Sequence, residues 1–243
     1  MKIEILGVEI DDLSEKEVLE KIDERLKNGR QVFITTPNPE ILLLAQNDND
    51  FLRILNNADI KIADGHGLKK GAKLLGKNLK SHITGTDFMV KLCRWAGECD
   101  LSVYLLGAKE GVAKKATKNL ETVFPKLKIV GSEHGGDKNN WDDVRILEHI
   151  NATKPDILFV ALGHGRQERW IYEKLKGLAT VRVAMGVGGA FDFISGEVKR
   201  APEWMRARGL EWLWRLLQQP WRFKRIFNAV IIFPWICFRD RSN

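Results

Sequence analysis

Asp64 is the residue best placed for acid–base chemistry. It closes the apolar run 59–64 (DIKIAD) and is followed by Gly65-His66-Gly67. A carboxylate there reaches the cleft at a strand end, where partial desolvation raises its pKa toward that of a useful general base. The competing reading is an N-cap for the next helix, a common task for aspartate. Other apolar runs end on further candidates: Thr36 and Asn38, Gly107-Ala108, Gly163 with Gln167 soon after, and Gly186, Gly188 and Gly189 with Asp192. Glycine lets a backbone approach a phosphate, and helix N-termini present N–H groups to an anion. One glycine at a strand end is an ordinary turn; three glycine-rich ends in one sheet predict a ligand bearing phosphate or sugar.

Several chemistries are excluded. Gly163-His-Gly165 is followed by Gln167-Glu168, and Gly186-Val-Gly188 by Phe191, so neither completes a dinucleotide fingerprint, and neither lies in the first βα turn. No Gly-Lys-Ser/Thr loop occurs. Asp48-Asn-Asp50 has the Asp-x-Asp form used to hold a metal beside a sugar nucleotide, but it follows no strand and reads as helix punctuation. His82, His134 and His149 lack metal-ligand spacing, and His66 serves equally as a turn residue. Three scattered cysteines (Cys93, Cys99, Cys237) give neither a disulfide framework nor a metal cluster and fit a reducing compartment. Neither metal nor cofactor is expected.

The elements that must carry these residues alternate. Two short extended pieces join near Gly7, and Ser14-Glu-Lys-Glu17 forms a capping box opening a helix that ends at Asn28-Gly29. Asn38 is a good N-cap and Pro39 a good first helical residue. Strands over 31–36, 59–64, 101–107, 126–130, 156–163 and 181–186 are separated by helical patterns over 67–75, 86–98, 109–123, 142–153 and 167–176. Continuous apolar strands between helices predict an α/β fold with a Rossmann-like parallel sheet covered on both faces. Ligands of such sheets bind at the carboxyl ends of the strands.

The 243 residues suit one α/β domain with an appendage. The net charge of +7 is not spread evenly. Residues 199–243 hold 10 Lys/Arg against 3 acids and five of the eight Trp, which leaves residues 1–198 with 29 of each sign. Leu210, Leu213, Trp214 and Leu217, then Phe223, Ile226, Phe227, Val230 and Ile231, recur at helical spacing, with Arg208, Glu211, Arg215, Gln218, Arg222 and Arg225 on a polar stripe. An apolar, Trp-rich face beside an arginine-rich one suits an interfacial membrane helix. A helical hairpin docked on the core is the alternative. The neutral body weakens a nucleic-acid reading. Residues 226–238, interrupted by Asn228 and Pro234, fall short of the roughly 20 apolar residues of a membrane span. No signal peptide is recognisable in MKIEILGVEIDDL.

In order along the chain, Thr36-Pro-Asn38, Ala63-Asp64-Gly65, Gly163 with Gln167-Glu168 and Trp170, Gly186-Val-Gly-Gly-Ala-Phe-Asp192, Gly196 with Arg200-Ala-Pro202, Glu211-Trp212 with Arg215-Leu216, and Pro220 with Arg222 and Arg225 resemble the WecG/TagA/CpsF glycosyltransferases. The likeness is nearest to the branch serving wall teichoic acid synthesis. One departure is Gly165-Arg166, where the family commonly has Pro-Lys. The resemblance implies metal-independent, inverting transfer of N-acetylmannosamine from UDP-ManNAc to the C4 hydroxyl of GlcNAc on undecaprenyl diphosphate. It implies Asp64 as general base, with Thr36, Asn38 and Gln167 lining the pocket. Gly186–Asp192 would hold the nucleotide, with Asp192 a ribose or uracil partner. Arg215, Arg222 and Arg225 would stabilise the departing diphosphate. It divides the chain into a catalytic core, 1–196, and an appendage, 197–243, that packs over the pocket and touches the inner face of the plasma membrane of a bacterium. Off the membrane, an exposed appendage would favour self-association. A different donor, UDP-ManNAcA or UDP-glucose, or a non-catalytic membrane- or nucleic-acid-binding module on the same fold, are the alternatives; an intact Thr36/Asn38/Asp64/Gln167 set argues against the last.

Overall fold

The computed structural model describes residues 1–81, 83–135 and 141–240. His82 and the last three residues of the appendage, 241–243, lie outside this description. The chain begins with a hairpin of β1 (Lys2–Ile5) and β2 (Val8–Asp11). Its turn places Leu6 and Gly7 at positive φ, 47° and 72°, the conformation that matches the twist of the flanking strands. Helix α1 (Glu15–Lys27) opens on the expected capping box: Glu17 N donates to Ser14 Oγ at 3.3 Å, and Ser14 N donates to Glu17 Oε2 at 2.7 Å.

There follow β3 (Val32–Thr35), α2 (Pro39–Gln46), α3 (Asn49–Asn57), β4 (Ile60–Lys61), α4 (His66–Leu74), α5 (Gly85–Glu98), β5 (Ser102–Gly107), α6 (Val112–Val123), β6 (Lys128–Glu133), α7 (Asp143–Thr153), β7 (Ile157–Ala161), α8 (Arg166–Lys174), β8 (Val183–Gly186) and α9 (Ala190–Ile194). The main sheet has six parallel strands in the order β4-β3-β8-β7-β5-β6. Its four central strands, β3, β8, β7 and β5, are buried on both faces because both are covered. Val32, Ile34, Val103, Leu105, Ile157, Phe159, Val183 and Met185 pack with α1, α5 and α6. The alternate residues Phe33, Tyr104, Leu106, Leu158, Val160 and Ala184 pack with α7 and α8. A third cluster joins the hairpin to α2, α3 and α4.

Strand β4 is shorter than the sequence suggests. Beyond Lys61 the chain still follows β3, with Ile62 N bonded to Thr35 O and Asp64 N to Pro37 O, both at 2.9 Å. Pro37 has no N–H to return, so the regular ladder stops there. Asp48 is punctuation as expected: its Oδ1 caps α3 by accepting from Phe51 N at 2.9 Å, and its Oδ2 pairs with Arg169.

The C-terminal segment folds into α10 (Glu203–Ala207), α11 (Glu211–Gln218), a tight 3-10 turn at Pro220–Arg222, and α12 (Phe223–Phe227). From α12 the chain passes through one π-helical turn, Asn228–Ile232, into α13 (Phe233–Asp240). Pro234 lacks the N–H an α-helix would use there, and a wider turn just before it accommodates the lost bond. Phe233 and Cys237 of α13 are fully buried in the third cluster, seated on Gly71 of α4. A Cβ at Gly71 would lie 2.5 Å from Phe233 Cε1. Among the described residues no helix is long and apolar enough to cross a membrane.

Candidate active site

Loops at the carboxyl ends of β4, β3, β8, β7 and β5 surround a cleft of about 500 Å³, roofed by α11 and α12. Thr36 is buried at the end of β3, its Oγ1 donating to Gly186 O at 3.3 Å, which ties the β3 loop to β8. Asn38 caps α2, accepting from Ile41 N at 3.0 Å through Oδ1. That bond fixes the amide and leaves Nδ2 facing His164 Nε2 at 3.5 Å.

Asp64 lines the cleft beside Asn38. It does not cap α4, where Gly65 at φ 79° holds the N-cap position without a side-chain bond. Its Oδ1 accepts instead from Gly85 N at 3.0 Å, the first residue of α5. Burial pushes the carboxyl up to about 6, and the charge of Glu211 adds to this; the Gly85 N–H, His164 and Asn38 oppose it. A carboxylate so placed takes a proton readily near neutral pH.

The β7 loop brings Gly163 and His164 to the cleft. Gln167 is not on the wall. It is fully buried under the β8 loop, with Oε1 accepting from Gly188 N at 3.0 Å and Nε2 donating to Glu168 Oε1 at 2.8 Å. Gly186 also sits below the surface: a Cβ there would come within 2.7 Å of Gln167 Nε2. Glu168 completes the brace by accepting from Gly165 N at 2.7 Å. Gly188 and Gly189 do line the cleft. At Gly107 (φ 116°) a Cβ would lie 2.5 Å from Ala161 O, so this glycine permits close packing of β5 on β7, while Ala108 and Lys109 reach the cleft.

The roof is cationic. Arg215 lies over the Phe193 ring, 4.8 Å from its centroid, and its Nη2 occupies the space a Cβ at Gly189 would need. Burial lowers the pKa of Arg215, against the pull of Asp192. Burial also pushes Arg222 down to about 10, helped by the like charges of Arg215 and Arg225. The Nε atoms of Arg215 and Arg222 are buried without a hydrogen-bond partner. Asp192 lines the same end; burial raises its pKa while Arg215 and Arg222 oppose the rise. Arg215 and Arg222 form no ion pair among the described residues, and guanidiniums desolvated side by side in this way favour a bound anion.

Residues given no role from the sequence complete the enclosure. Arg200 binds both oxygens of Asp87, donates to Thr84 Oγ1 at 3.2 Å, and lies 3.7 Å from Glu211 Oε1. Glu40, His164 and Lys109 also line the cleft. Glu40 stands two residues beyond the Asn38 cap, which is the one local signal that could have marked it. Away from the cleft, His149 Nδ1 lies 2.9 Å from the Tyr104 hydroxyl, and His66 packs against Gly209. Among the described residues no group of three or more His, Cys, Asp or Glu is placed to hold a metal ion.

The model of the Glycosyl transferase WecG/TagA/CpsF family matches residues 3–243. The chain is 36% identical over 195 residues to the N-acetylglucosaminyldiphosphoundecaprenol N-acetyl-beta-D-mannosaminyltransferase of Bacillus subtilis strain 168, covering 80% of this chain and 75% of that one. The Bacillus spizizenii W23 protein of the same name is 36% identical over 218 residues, 90% of this chain and 83% of its own. The protein of that name in Staphylococcus aureus MW2 is 31% identical over 236 residues, 96% and 91% of the two chains.

Proposed function

The chain belongs to the WecG/TagA/CpsF glycosyltransferase family, and we propose that it transfers N-acetylmannosamine from UDP-ManNAc to the C4 hydroxyl of GlcNAc on undecaprenyl diphosphate. The observation that carries this is a single cleft lined both by a carboxylate of raised pKa and by Arg215 and Arg222, whose buried Nε atoms have no hydrogen-bond partner. Asp64 takes the proton of the acceptor hydroxyl as its oxygen attacks C1 of the donor sugar. The C1–O bond to the diphosphate breaks with inversion, and UDP leaves with the bonding pair. Arg215, Arg222 and Arg225 supply the positive charge for that departure. Thr36 and Asn38 hold the sugars, and Gly188, Gly189 and Asp192 hold the nucleotide. Gln167 acts from beneath, keeping Gly188 in place.

Residues 1–196 serve as the catalytic unit and 197–243 as an appendage that rests on the inner face of the plasma membrane, where the lipid-linked acceptor resides. Support comes from the aromatics it leaves exposed, Trp221, Phe223, Phe227, Trp235 and Phe238, beside its excess of Lys and Arg. A transfer assay offering UDP-ManNAc, UDP-ManNAcA and UDP-glucose to a GlcNAc-diphosphate-lipid analogue tests the donor. Product is expected from UDP-ManNAc alone; preference for either other donor would overturn the assignment.

A further inference from the structure

The three roof arginines are not equivalent. Arg215 and Arg222 have buried Nε atoms without partners and make no ion pair among the described residues. Arg225, by contrast, is ion-paired: its Nε donates to Glu40 Oε2 at 2.8 Å and its Nη2 donates to the same oxygen, with that Nη2 3.3 Å from His164 Nδ1. His164 Nδ1 is itself 3.3 Å from Glu40 Oε2. Since Asn38 Oδ1 is committed to the α2 cap, its Nδ2 is a donor and His164 Nε2 the acceptor. This leaves Nδ1 to carry the hydrogen toward Glu40. One carboxylate oxygen thus gathers the appendage through Arg225 and the β7 loop through His164.

The place of Glu40 gives that contact its meaning. Asn38, beside Asp64, is the N-cap of α2, and Glu40 lies in the first turn of the same helix. One rigid helix start therefore relates the base to the appendage. Burial disfavours the charged form of Glu40, but the His164 hydrogen bond and the Arg225 charge outweigh it and hold its pKa down to about 2.

We propose that Arg225 is a positioning residue which docks the appendage on Glu40 and His164, so that Arg215 and Arg222 are set in register with Asp64 and together take the departing diphosphate. This rests on the diphosphate reading above and narrows it from three arginines to two.

The test uses the full chain. Turnover, inhibition by UDP and by UMP, and amide hydrogen exchange are measured for Arg222→Gln, Arg225→Gln, Glu40→Gln and the Glu40→Gln/Arg225→Gln double variant. Arg222→Gln should reduce the preference for UDP over UMP about tenfold, the scale of one charge-assisted hydrogen bond. Arg225→Gln and Glu40→Gln should each slow turnover about tenfold and keep that preference. The double variant should be no slower than the slower single variant. Exchange across 211–229 should rise in all variants lacking the pair. Glu40→Asp, which retains the charge but shortens its reach, should show the same exchange signature without loss of fold. Multiplying effects of Glu40→Gln and Arg225→Gln, unchanged exchange, or loss of the UDP preference in Arg225→Gln would overturn the docking role. An unchanged preference in Arg222→Gln would instead overturn the diphosphate reading, and the exchange data would still decide docking.

Discussion

Asp64 has its pKa raised by burial, at a cost to the fold. Its folded-state pKa lies above the ordinary carboxylate value, so the stability it contributes is complete below pH 4 and is lost as pH rises through about 6. Above that the ionised group carries a burial cost that the Gly85 N–H, His164 and Asn38 only partly offset. Asp64→Asn keeps an oxygen to accept from Gly85 N but removes the charge. It should lower turnover by about 10²–10⁴ while raising unfolding free energy at pH 7 by on the order of 1 kcal/mol, checked by steady-state rates and thermal melts of the same preparation. The parent should lose activity as pH falls through about 6, because a protonated Asp64 cannot take the acceptor's proton. Asp64 and Asn38 were legible in the sequence because strand end, glycine and cap are local signals. The Glu40, His164 and Arg225 contact was not, since its members are 61 to 185 residues apart. Gln167 was read in the right loop as lining the pocket, but its amide is fully buried and turned beneath the loop, where it accepts from Gly188 N and donates to Glu168.

At the scale of elements, the central strands of the main sheet were visible because burial on both faces produces unbroken apolar runs. The appendage read as two amphipathic helices divided at Pro220, and that division is present. What periodicity could not show is where the second one docks, because the receptor is an absence, the missing side chain of Gly71. Phe233 fills that space, and Cys237 Sγ would lie 3.2 Å from a Cβ there. Gly71→Val should therefore displace α13 with α4 intact. We expect a fall in stability of about 1–3 kcal/mol, the usual cost of overpacking, with increased amide exchange in 223–240. An unchanged melt would mean that α13 contributes little to the fold.

For the whole molecule, the charge is divided between a neutral body and a cationic appendage. Binding to anionic vesicles should depend on both halves of the appendage surface. Flotation with anionic liposomes should weaken at high salt, where the arginine contribution is screened. It should fall further for Trp221→Ala combined with Trp235→Ala, residues 76% and 57% exposed. Flotation unaffected by either change would remove the membrane from the account. The π-helical turn bears on this surface in a geometric way. Phe223, Phe227, Ile231 and Trp235 are all exposed and recur every fourth residue. In an unbroken α-helix each such step runs about 40° past a full turn, so three steps would wind the row about 120° around the axis. The wider turn at Asn228–Ile232 rotates less per residue and takes back part of that drift. With Pro234 just beyond it, this turn leaves Phe223, Phe227, Ile231 and Trp235 nearer to one line along the helix than an unbroken α-helix would.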